Sequence, residues 1–131
     1  MGHRIEVTAG FCILWAFWLL VLPLGMIVAA GVAALLHEGC HGLAIWLTGG
    51  KVLGITLGAG GMVMEIMPMS PQKELVCALA GPVGSLLLAG MYPWMPLLAV
   101  CGLVQGLFNL IPIYPLDGGR AIRCAIALLQ K

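Results

Sequence analysis

Charge is what this sequence has least of. Six basic and five acidic side chains are spread over 131 residues, where an ordinary soluble domain of that length would carry about a quarter of its residues charged. With 62% hydrophobic residues and a mean hydropathy of +1.10, the chain belongs in a bilayer. The scattered basic residues form no stripe that could follow a phosphate backbone, so nucleic acid is excluded as a partner. Cysteine is also used sparingly: Cys12, Cys40, Cys77, Cys101 and Cys124 are odd in number and contain no Cys-x-x-Cys pair, which leaves them as small packing residues. Cys40 alone borders on chemistry, because it lies between His37 and His41. Glycines cluster between 54 and 61, but no Gly-Lys-Ser/Thr follows them, which excludes a phosphate-binding loop.

What is there is a series of apolar segments separated by proline and glycine. No Asp, Glu, Lys or Arg occurs between Glu6 and Glu38, and Pro23-Leu24-Gly25 divides that stretch. The pattern predicts a first helix over Val7–Leu22 and a second over Met26–Leu47, stopped by Thr48-Gly49-Gly50. Apolar residues alternating with glycines from Lys51 to Pro68 predict a β-hairpin at the membrane interface. A third helix is expected over Glu74–Tyr92, kinked at Gly81-Pro82, and a fourth from Pro96 to about Ile111. The fold class is therefore an all-α polytopic membrane protein with about four transmembrane helices, a short hairpin between the second and third, and an unwound loop ending the fourth. Residues 1–131 make one membrane-embedded domain. With four crossings, Arg4, Lys51, Lys73, Arg120, Arg123 and Lys131 share one side, which places both termini in the cytoplasm and the chain in the cell membrane. Arg120–Lys131 reads as an amphipathic helix on that face.

His37-Glu38-Gly39-Cys40-His41 carries the chemistry. An i, i+4 spacing puts two imidazoles on one face of a helix, where they can share a Zn²⁺, with Glu38 beside the open position as general base. A glutamate flanked by two histidines is costly in hydrocarbon, which argues against chance. Zinc enzymes generally add a third protein ligand. Asp117 is the candidate, in Asn109-Leu110-Ile111-Pro112-Ile113-Tyr114-Pro115-Leu116-Asp117-Gly118-Gly119-Arg120, where prolines end the helix and glycines allow a tight turn. Asn109 reads either as a polar group near substrate or as a hydrogen-bonding residue tied to Gln105 one turn earlier. Met62, Met64, Met67 and Met69 alternate and suggest an adaptable apolar surface.

His37-Glu38-x-x-His41 together with Asn109-x-x-Pro112 and Leu116-Asp117-Gly118, on separate hydrophobic segments, resembles the site-2 protease family of intramembrane zinc metalloproteases. The Pro-Leu-Asp-Gly-Gly-Arg ending looks most like the stage IV sporulation FB-type branch. The resemblance implies that His37, His41 and Asp117 hold zinc while Glu38 is the catalytic base in regulated intramembrane proteolysis. A transmembrane protein would be the substrate, and a membrane partner the regulator. One departure stands out: the family often has Asn three residues after the Gly-Pro of its third core helix, and here that position is Ser85. Two other classes accommodate the same ligands: a membrane zinc carrier or sensor, and an inactive membrane partner subunit. Glu38 argues for catalysis, since a carrier needs ligands but no base beside them.

Overall fold

The computed structural model describes residues 4–59, 61–114 and 116–131; Gly60 of the expected hairpin turn, Pro115 of the expected loop and the first three residues lie outside them. The element order is β1 (Arg4–Val7), α1 (Ala9–Val21), α2 (Leu24–Leu47), β2 (Val52–Gly58), β3 (Gly61–Ile66), α3 (Pro71–Leu88), a 3₁₀ turn (Ala89–Met91), α4 (Pro96–Asn109) and α5 (Asp117–Leu129).

The expected hairpin is present as β2 and β3, but it is two-thirds of a three-stranded sheet in the order β1-β2-β3. The polar start of the chain supplies β1, which pairs parallel to β2 with Arg4 opposite Gly54 and Val7 opposite Leu57. Gly61 makes the β2–β3 turn possible, since its φ of 114° is accessible only to glycine. Because β1 leads into α1 and β2 follows α2, and the two strands are neighbours, the helical pair leaves the sheet and returns to the same side. The basic residues Arg4, Lys51, Lys73, Arg120 and Arg123 belong to the elements gathered at that end.

α2 and the segment Pro71–Met91 are long and apolar enough to cross a membrane. α1 and α4, with 13 and 14 residues, rise only about 20 Å each, short of a typical 30 Å hydrocarbon core. Both are apolar, and α1 buries none of its described residues. α3 is the hub, packed against α2, α4 and α5. It runs unbroken from Pro71 to Leu88 with Pro82 inside it. The third helix thus starts earlier than the charge pattern suggests, because Pro71 at its first turn needs no backbone N–H partner.

Helix contact in this interior is made by small residues. A Cβ on Gly102 would lie 2.7 Å from Leu88 Cβ, and one on Gly106 would lie 3.1 Å from Ser85 Cβ. Glycine there lets α4 reach the α3 backbone, as helices must when lipid removes the hydrophobic incentive to associate. α2 ends as its glycines predict: Gly49 adopts φ 78° and Gly50 N–H donates to Ile45 O at 2.8 Å.

Candidate metal centre

His37 and His41 lie on the buried face of α2, with their ring centroids 4.8 Å apart. Asp117 opens α5 and is buried beside them. The loop over 110–116 is irregular, as expected, but the C-terminal helix begins at Asp117 rather than Arg120. Its start is set by backbone contact: a Cβ on Gly118 would strike the Leu110 carbonyl, and one on Gly119 would meet the Ile113 carbonyl carbon at 2.5 Å. Gly81 of α3 has a matching role, since any Cβ there would overlap the His41 ring.

Three ligand atoms meet at a point. Asp117 Oδ2 lies 3.0 Å from His37 Nε2 and 2.9 Å from His41 Nε2, and the two Nε2 atoms are 3.2 Å apart. Tetrahedral zinc with bonds of about 2.0–2.1 Å holds its ligands about 3.3 Å apart, so the triangle needs to open by only a few tenths of an ångström. Both rings are aimed from behind. His41 Nδ1 donates to the Cys77 carbonyl at 2.7 Å, which turns Nε2 toward the triangle. His37 Nδ1 pairs with Ser85 Oγ at 2.7 Å. Histidines that bind metals are held by this kind of outer hydrogen bond. Burial works against charge on Asp117, but hydrogen bonds from His37 and His41 outweigh it and hold its carboxyl down at about 2. The third ligand is therefore ionised before any metal arrives. Arg120 Nη1 stands 3.9 Å from the other oxygen, Asp117 Oδ1, leaving Oδ2 to face the histidines.

The triangle opens onto a cleft of about 250 Å³ lined by Glu38 and His41 of α2, Met62, Val63, Met64 and Ile66 of β3, and a polar rim from α3 and α5. Glu38 is half-buried there.

All four residues expected at the centre, His37, Glu38, His41 and Asp117, are thus brought together. Asn109 is not among the residues lining the cleft; its amide nitrogen donates to the Gln105 carbonyl at 2.9 Å, one turn back on its own helix. Cys40 packs toward Gly84 of α3, away from the ligand triangle. Ser85 is fully buried and braces His37. The Gly-Pro-x-x-Ser spacing marked the position but not this partner, which depends on how α2 and α3 pack. Met62 and Met64 take part in the cleft wall, whereas Met69 packs over Gly50.

Comparison with known proteins agrees with this geometry. A solved structure, the site-2 protease from Methanocaldococcus jannaschii, superposes on 97% of this chain and 68% of its own, with a TM-score of 0.77 and 25% identity. The chain has the fold of a site-2 protease. Its sequence is similar to a zinc metalloprotease of Methanocaldococcus jannaschii, 32% identical over 76% of this chain and 33% of that protein. A putative zinc metalloprotease of Synechocystis is 34% identical over 83% of this chain and 32% of its own length. One of Mycobacterium tuberculosis is 30% identical over 82% and 32%. The chain spans about a third of the length of each of these relatives. No family model matches it. The site-2 protease fold places the His-Glu-x-x-His helix and the Asp117 turn in one core, and the donor set of two imidazoles and a carboxylate is one that zinc takes.

Proposed function

We propose that this chain is an intramembrane zinc endopeptidase, and that it cuts a peptide bond in or near a transmembrane segment of a membrane protein. The observation that carries the reading is the triangle of His37 Nε2, His41 Nε2 and Asp117 Oδ2 opening onto a cleft that also holds Glu38.

His37, His41 and Asp117 hold the zinc. Bound there, the ion supplies polarisation of a scissile carbonyl and a nucleophilic water at neutral pH. Glu38 accepts the proton from the attacking water and delivers it to the leaving amine, the general acid–base role that a carboxylate beside an open ligand position can fill. Ser85 and the Cys77 carbonyl keep both rings in register through the cycle. A substrate helix conceals its carbonyls in its own hydrogen bonds, so it must unwind before it is cut. β3 is the sheet edge along the cleft, and an extended substrate segment pairs with it by β-augmentation.

The helices α1 to α4 cross the bilayer, the two short ones with the help of flanking residues and tilted neighbours. Their exposed Ile13, Leu20, Leu35, Val104 and Phe108 face lipid. The basic residues at the sheet end place that end and both described termini in the cytoplasm. The Pro-Leu-Asp-Gly-Gly-Arg turn supports a place near the stage IV sporulation FB-type branch, and a membrane partner controls access to the cleft.

The deciding experiment compares unmodified protein with Glu38→Gln, both purified, zinc-loaded and reconstituted with a panel of single-span substrates. Zinc-dependent cleavage lost in Glu38→Gln is the expected result. Stoichiometric zinc without cleavage of any substrate would favour the carrier reading instead.

A further inference from the structure

The cleft has two chemically different walls. One is apolar: Met62, Val63, Met64 and Ile66 of β3, with Ile45 behind them. The other carries Glu74, Tyr114, Arg120 and Arg123. An apolar wall is what a membrane segment requires, but the arginines have no part in the hydrolysis described above. They stand one turn apart on α5, so both reach the same side of the cleft.

Neither guanidinium is fully engaged. Arg120 has one partner among the described residues, Asp117 Oδ1, at the long distance of 3.9 Å. Arg123 lies flat over the Tyr114 ring, with its guanidinium carbon 5.1 Å from the centroid, and no ion pair joins it to an acid among the described residues. Stacking of this kind occupies the face of the guanidinium and leaves its in-plane N–H groups free. Glu74 shares the wall, yet no ion pair links it to either arginine. The cleft's carboxylates are Glu38, Glu74 and Asp117 and its cations Arg120 and Arg123, with His41 at the base. Negative charge prevails until a dication occupies the ligand triangle, and positive charge prevails after it does.

We infer that Arg120 and Arg123 form a subsite for a carboxylate on the substrate, so that the preferred membrane segment carries an Asp or Glu within a few residues of the cut bond. This rests on the proteolytic reading and adds a substrate class to it. An extended segment paired with β3 sends alternate side chains to opposite faces. Residues of one set meet the methionine wall, and a member of the other set reaches α5. Arg123 offers that residue a two-pronged donor already ordered by Tyr114, in surroundings of lower dielectric than water.

The test separates binding from cleavage. Fluorescent single-span peptides carrying one Glu, moved stepwise across the region of the cut, are compared with Gln counterparts in bicelles. Binding is measured to the zinc-loaded full chain bearing Glu38→Gln, and cleavage is measured with the unmodified chain. A Glu peptide should bind roughly tenfold more tightly than its Gln counterpart in one narrow register. Arg123→Gln should bring that ratio close to one, and Arg123→Glu should shift preference to a Lys peptide. A loss of packing alone would not produce that reversal. Equal binding of Glu and Gln peptides at every position, or a ratio that survives in both Arg123→Gln and Arg120→Gln, would overturn the subsite. Acid-selective binding with no peptide cut would support the subsite and defeat the protease reading. Cleavage with no acid preference would do the opposite.

Discussion

Ser85 Oγ sits 2.7 Å from His37 Nδ1, and the two residues are 0% and 2% exposed. Water has no access to replace that partner, so Ser85→Ala leaves a buried ring nitrogen unpaired and frees the imidazole to turn. Zinc affinity should fall by about 10- to 100-fold, the usual cost of losing a hydrogen bond behind a metal ligand. Competition against a chromophoric chelator measures this, and an unchanged affinity would mean that the ring is held by packing alone.

Gly81→Ala should abolish metal binding, because the new methyl group occupies the space of the His41 ring. Gly39→Ala is the matched control: it lies within the same His-Glu-x-x-His segment, but nothing stands within 4 Å of its added Cβ. Metal content after purification should be near zero for the first and equal to the unmodified protein for the second.

Gly102→Val should loosen the α3–α4 contact, since even its Cβ would lie 2.8 Å from the Ser85 carbonyl oxygen. A destabilisation of about 1–3 kcal/mol is typical of such overpacking. Thermal unfolding in detergent reads the shift, and an undiminished Tm would show that the two helices separate at little cost.

Val63→Pro should depress cleavage while leaving zinc bound. Proline on β3 removes a backbone donor, and Val63 lies along the cleft but apart from the ligand triangle. Parallel assays of zinc content and turnover check it; normal turnover would argue against strand pairing with substrate.

The centre was legible in the sequence where its logic is local. A four-residue spacing is enough to align His37 with His41, and the prolines and glycines around Asp117 announce a broken helix. What lay beyond reach depends on elements far apart in the chain. Ser85 and the Cys77 carbonyl matter only because α3 packs against α2, and Gly81 matters only because His41 arrives opposite it. Asn109 shows the converse: a polar residue in an apolar segment invites a functional role, yet its amide bonds to its own helix. In the fold, Arg4-Ile5-Glu6-Val7 is too short to signal a strand unaided, and its partner is some fifty residues away. The lengths of α1 and α4 fell below the apolar runs around them because Pro23 and the 110–116 loop close the helices early.

The parallel pairing of β1 with β2 also imposes an order of assembly. β1 leaves the ribosome first, but it has nothing to pair with until α1 and α2 have both been made and β2 has followed. A pairing over so long a loop forms late, after its closure entropy has been met by helix packing. Closure of the sheet therefore marks the moment at which the first helical hairpin is in place, and the cleft wall on β3 is built on a template that exists only once that insertion has succeeded.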